Sequence, residues 1–159
     1  MDPRWLVVVR MVHITAAVCW VGEVLVINFV LLPSTRRLAD EPRRAFMVQV
    51  FPRVFALASV LSGTAVASGL TLAWGATRGD LSLLLRGRWG LCILAGATLG
   101  SLLTAFHFVL ERKVAPVFGD CADPTGLDDV HTKLQILPRG GLVVLLTTMF
   151  LMFWAARGW

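Results

Sequence analysis

Four long apolar runs separated by charged stretches set the pattern of this chain, at about residues 5–32, 54–75, 89–110 and 139–157. A helix that crosses a bilayer needs roughly 20 consecutive apolar residues, and each run is about that long. None alternates apolar with polar positions as a barrel strand would. Backbone polar groups have no partner in lipid, so the spans are expected to be helices. Pro33 is read as the end of the first run, and Glu111-Arg112-Lys113 as the end of the third. The connection PSTRRLADEPRRAFMVQVFPR is expected to be a loop over 33–53, and ERKVAPVFGDCADPTGLDDVHTK another over 111–138. The first run is too long for a signal sequence, so it is expected to stay as a span. The pattern predicts one all-α domain, an integral membrane four-helix transmembrane bundle over residues 1–159.

Composition agrees with a lipid environment. The chain is 57% hydrophobic and 16% charged, with a mean hydropathy of +0.74, whereas soluble domains have about 45–50% apolar and about 25% charged residues. The net charge of +5 is spread between the apolar runs, which reads as topology and headgroup contact and argues against nucleic-acid binding. Nine Lys and Arg fall on the side of the first and third connections and six on the other. That bias places 33–53 and 111–138 in the cytoplasm and both termini outside, in a multi-pass protein of the cell's inner membrane. Trp5, Trp74, Trp89, Trp154 and Trp159 fall at helix ends on one side, as an aromatic belt does. Cys19, Cys92 and Cys121 form no CxxC, so neither a zinc site nor a redox dithiol is indicated. Gly96/Gly100, Ser59/Gly63 and Ala65/Gly69 have the spacing of close helix packing.

The chemistry lies in the ionisable groups inside the runs, where each carries a solvation cost. At about 100° per residue, His13, Ala16, Ala17, Trp20 and Val24 share one face of the first helix. The two alanines leave room for a flat ligand beside the imidazole, and Trp20 would wall that space. Arg10, about one turn away, snorkels to headgroups or pairs with an acidic group such as a heme propionate. Glu23 lies about 15 Å deeper than His13 and cannot share its metal ion. It carries a proton or forms a salt bridge with Arg53; the sequence leaves both open. His107 falls near the opposite membrane side from His13, with His131 on its own side, so a second site there is a further candidate. Cys92, Met149 and Met152 fall at the depth of His13; a thioether is a heme ligand, and soft sulfur suits Cu(I).

The order His13-Ile14, Trp20-Val21-Gly22 and an apolar run to Pro33 resembles the opening helix of the CopD-like and HemJ-like four-helix membrane families. FPRVFALASVLSGTAVASGL (51–70) resembles the second helix of that group, and AFHFVLERKV (105–114) the end of its third, with His107 matching a histidine there. At the start of the third helix this chain reads GRWGLCIL (87–94), where the HemJ pattern has a His-x-Lys step. The HemJ likeness implies bound heme b and oxidation of protoporphyrinogen. The CopD likeness implies movement of copper into the cytoplasm.

Together these readings lead to an expectation of a membrane-embedded heme b protein of cytochrome b type. It would carry electrons to or from a quinol, a porphyrin or a redox protein, or act as a heme-dependent oxidoreductase. The cofactor residues expected are His13, His107, Arg10, Trp20, Ala17 and Met152. The metal-ligand candidates are His13, His107 and His131. Two alternatives stand beside it: a copper transport or resistance protein using His13, Met149, Met152 and Cys92, and a structural subunit of a membrane complex, with a homo-oligomer as a further option.

Overall fold

The computed structural model describes residues 3–119, 130 and 132–157, and it is an all-α four-helix bundle. Helix α1 (Pro3–Val26) continues through one π turn (Ile27–Leu31) and a short α segment (Leu32–Thr35). Helix α2 covers Asp40–Thr77, a 3₁₀ turn covers Leu81–Leu85, α3 covers Gly87–Gly119 and α4 covers Leu137–Ala156. Four helices are long and apolar enough to cross a membrane. The protein is therefore a multi-pass membrane protein whose outer surface suits lipid.

Its burial pattern is that of a membrane bundle. The large side chains Val7, Val60, Leu102 and Phe150 face outward. Ala16, Ala58, Ser62, Ala65 and Ser68 are buried. Small residues let helix backbones approach where lipid offers no hydrophobic drive to pull them together. Helix α1 packs mainly on α2, α3 mainly on α4, and α2 joins the pairs through α3. The Gly96/Gly100 spacing is used inside the bundle. A Cβ on Gly96 would lie 2.5 Å from the Met152 methyl, and one on Gly100 would lie 3.9 Å from Thr148. Up-and-down order brings Trp5, Trp74, Trp89 and Trp154 to one end, each with at least a third of its surface exposed. Trp159 lies outside the described residues.

Two boundaries differ from the sequence expectation. The segment 33–53 is not a loop: the chain turns only at Arg36–Ala39, and α2 starts at Asp40. Asp40 and Glu41 sit in its first turn, where carboxylates complement the helix dipole. At about 1.5 Å per residue, its 38 residues span about 57 Å, well beyond a hydrocarbon core of about 30 Å. The charged end of α2 therefore stands in the headgroup and water layers, where helix is as acceptable as loop. Nor does Pro33 end the first helix. Proline has no N–H to give the carbonyl four residues back, and the helix widens into its π turn just before that position. Likewise, α3 runs on through Glu111-Arg112-Lys113 to Gly119.

These extensions carry a core of their own. Met47, Phe51 and Phe55 of α2 pack with Val114 and Phe118 of α3 and with Leu32 and Leu134. A second cluster, Ala16, Trp20, Ala65 and Leu145, holds the middle of the bundle.

Candidate functional site

His13 projects from α1 onto α2, at a place where α2 has made room for it. Its ring lies against Gly69, where a Cβ would approach the imidazole Cε1 to 2.9 Å. Its Nδ1 is 2.8 Å from the carbonyl oxygen of Ala65. A carbonyl only accepts, so Nδ1 carries the hydrogen and donates it. The lone pair is then on Nε2, which has no hydrogen-bond partner among the described residues. Ser68 Oγ is 3.4 Å from Nδ1, while its own hydrogen is committed to backbone carbonyls one turn back. The Ala65/Gly69 spacing thus seats an imidazole rather than a helix backbone.

His13 stands at the edge of a partly open cavity of about 630 Å³ lined by all four helices. That size lies within the roughly 300–1,000 Å³ of small-molecule sites. The walls are mostly apolar and include small side chains such as Ala17, Ala73, Gly96 and Ala97. Arg10, His13, Ser101 and Thr148 are the polar members, beside Trp20 and Trp89. Met149 and Met152 of α4 line the same space.

The candidate residues therefore divide. His13, Arg10, Ala17, Trp20 and Met152 share one cavity. His107 is not in it: it lines a smaller cavity of about 90 Å³ toward the other end, and Trp20 borders both. Two parallel helices place position 13 and position 107 at different depths, so the two imidazoles do not face one another. Cys92 does not line the large cavity either, although its neighbours Trp89 and Ile93 do. His131 lies outside the described residues. Among the described residues, no three His, Cys, Asp or Glu side chains come together.

Glu23 and Arg53 are not paired. Both carboxylate oxygens of Glu23 are buried without a hydrogen-bond partner, as is Oδ1 of Asn28. Arg53 is exposed and donates to the carbonyl of Gln49, one turn back on its own helix. Arg53 lies on an exposed face of α2, away from the buried carboxylate.

One polar cluster went unread in the sequence: Ser59 of α2 with His107 and Glu111 of α3. The His107/Glu111 spacing of four residues places both on one helix face, and that was the available signal.

The chain matches no family model, no curated protein and no solved structure.

The chemistry of the His13 site suits a heme group. A metal-ligating histidine as a rule gives its other ring N–H to a carbonyl or carboxylate, which fixes the tautomer and raises basicity. His13 has this arrangement, with Ala65 as acceptor and a large apolar space beside the ring.

Proposed function

We propose that this protein binds one heme b in the large cavity, with His13 Nε2 as the iron ligand, and serves in electron transfer within the membrane. The observation that carries the reading is the committed Nδ1–H of His13 beside a cavity of about 630 Å³. Heme b would supply a one-electron couple whose potential follows its second ligand and its burial. The rest is the work of this chain. Ala65 holds the imidazole and its tautomer. The small side chains of α1, α2 and α3 leave space for a flat macrocycle. Arg10, with no hydrogen bond or ion pair among the described residues, would meet an acidic edge through charge-assisted hydrogen bonds. Met152 or Met149 would offer a thioether from α4. The electron partner in this reading is a quinol, a porphyrin or a redox protein.

The sidedness of the proposal follows the Lys and Arg count, with Arg36, Arg37, Arg112 and Lys113 in the cytoplasm. The likeness to HemJ-like proteins points to the same cofactor.

Copper handling is the second reading, favoured by Met149 and Met152 facing the same space as His13. One experiment separates the two. Protein produced with ample heme should carry close to one heme per chain, and His13→Ala protein should carry almost none. Equal heme in both would remove the ligand assignment. Copper in place of heme would favour the alternative.

A further inference from the structure

The large cavity reaches the bundle end that carries Trp5, Trp74, Trp89 and Trp154, since Leu6, Trp89 and Ala156 line it. Two helices bring an arginine to this mouth. The register of α1 against α4 is set further down, where Asn28 Nδ2 donates to the carbonyl oxygen of Pro138, 3.1 Å away. Arg10 and Ala156 each lie 18 residues from that contact, along antiparallel helices. At about 1.5 Å per residue both stand about 27 Å from it, at one level. Both line the cavity, and Arg157 follows Ala156 as the C-cap of α4.

Arg157 is held at the rim by an aromatic ring. Its guanidinium carbon stands 4.7 Å from the centre of the Phe153 ring, and Phe153 lines the cavity while 56% exposed. A guanidinium stacked on a ring engages its face and keeps the N–H fork at its edge free. Neither Arg10 nor Arg157 has an ion pair or a side-chain hydrogen bond among the described residues. No Asp or Glu lines the cavity. Asp80, the acid at this end among the described residues, caps its own turn by accepting from the Ser82 N–H at 3.0 Å. Two uncompensated cations at the mouth of an apolar space attract anions, because low-dielectric walls focus their field.

We infer that Arg157 is a second anion-binding residue of the large cavity, and that with Arg10 it holds a flat apolar ligand carrying two acid groups. This rests on the cavity of the proposed function and deepens that reading, but it does not rest on an iron ligand. Carboxylates suit the arginine fork, which offers two parallel hydrogen bonds. Two arginines on different helices take two separate carboxylates, whereas a ligand with one acid group leaves one cation unpaired. The acid edge of the ligand lies at the arginines. Its apolar edge points toward Trp20, ten residues further along α1 and about 15 Å deeper. Ala17, Ala73, Gly96 and Ala97 leave room for a flat body between these levels. Heme and metal-free porphyrins with two carboxyl groups share this chemistry.

The test uses the full chain in micelles of an uncharged detergent. The probes are mesoporphyrin, a fluorescent metal-free porphyrin with two carboxyl groups, and its dimethyl ester; empty micelles serve as reference. The expected result is saturable binding of one mesoporphyrin per chain, with the diester at least ~10-fold weaker, since a site built for polar groups rejects the analogue that lacks them. Arg157→Gln should weaken the diacid at least ~5-fold, about one charge-assisted hydrogen bond at a partly exposed site, and leave the diester unchanged. Arg10→Gln should act alike. Arg86→Gln removes an exposed arginine at the same end but outside the cavity lining, and should change neither. Equal affinity for diacid and diester, a diacid affinity untouched by Arg157→Gln, or no saturable binding would each overturn the assignment. His13→Ala should bind mesoporphyrin as the unaltered chain does, because that ring has no iron. Hemin with the same variant reports on the iron ligand, so the heme reading and the arginine pair fail separately.

Discussion

The Nδ1 nitrogen of His13 lies 2.8 Å from the carbonyl oxygen of Ala65 on the neighbouring helix, and Gly69, one turn further along α2, leaves the ring its space. This pairing does two things. It satisfies half of a polar side chain inside the bundle, and it fixes the tautomer, which leaves the lone pair on the unshared nitrogen.

Gly69→Ala tests the seat without removing the imidazole. Its new Cβ would stand 2.9 Å from Cε1 and 3.2 Å from Nδ1, so ring or helix must shift. A small-to-large change in a packed interior costs about 1–3 kcal/mol. The expected outcome is a lower unfolding midpoint in detergent together with weaker pigment binding. An unchanged midpoint with full pigment would mean that the ring is not held there.

Two glycines at helix contacts should respond unequally. At Gly90, a Cβ would stand 2.5 Å from the backbone oxygen of Leu84, in the 3₁₀ turn; at Gly96 it would meet the mobile end of Met152 at the same 2.5 Å. A methionine methyl can swing away, whereas a backbone carbonyl in a tight turn cannot. Gly90→Ala is expected to cost about 3 kcal/mol or more, and Gly96→Ala less than about 1.5 kcal/mol. Unfolding curves of the two variants, measured side by side, check the order.

Much of this was legible in the sequence, and the misses have physical reasons. Four spans, the belt formed by Trp5, Trp74, Trp89 and Trp154, and the shared face of His13, Ala17 and Trp20 follow from hydropathy and a period of 3.6. The helix over 40–53 was hidden by its charges, because a span ends where lipid ends while a helix does not. Met47, Phe51, Phe55 and Ala58, spaced by four, four and three, carry its buried stripe and mark it in hindsight. The pairing of Glu23 with Arg53, one of the two readings the sequence leaves open, rests on charge alone. Charge does not reveal that Arg53 lies on an exposed face of α2. The seat for His13 on Ala65 and Gly69 needed the register between α1 and α2, which no single helix encodes.

Glu23 is expected to be a burden on stability. Both oxygens are buried without partners, and an unsatisfied buried polar group costs about 1–3 kcal/mol. Glu23→Leu should raise the unfolding midpoint in detergent. A lowered midpoint would show that the carboxyl has an anchoring role.

Trp20 is 5% exposed and stands between the two cavities. Trp20→Ala should merge them and cost about 3–5 kcal/mol, as large core truncations do. Calorimetry or chemical unfolding in micelles gives the cost, and altered pigment bands would report the lost wall.

The central claim is that His13 holds heme in the large cavity, and an absorption spectrum of the detergent-purified protein, oxidised and then reduced with dithionite, tests it most directly. The account predicts a Soret band with sharp α and β bands on reduction, all lost in His13→Ala. A spectrum without these bands, from protein made with ample heme, would contradict it.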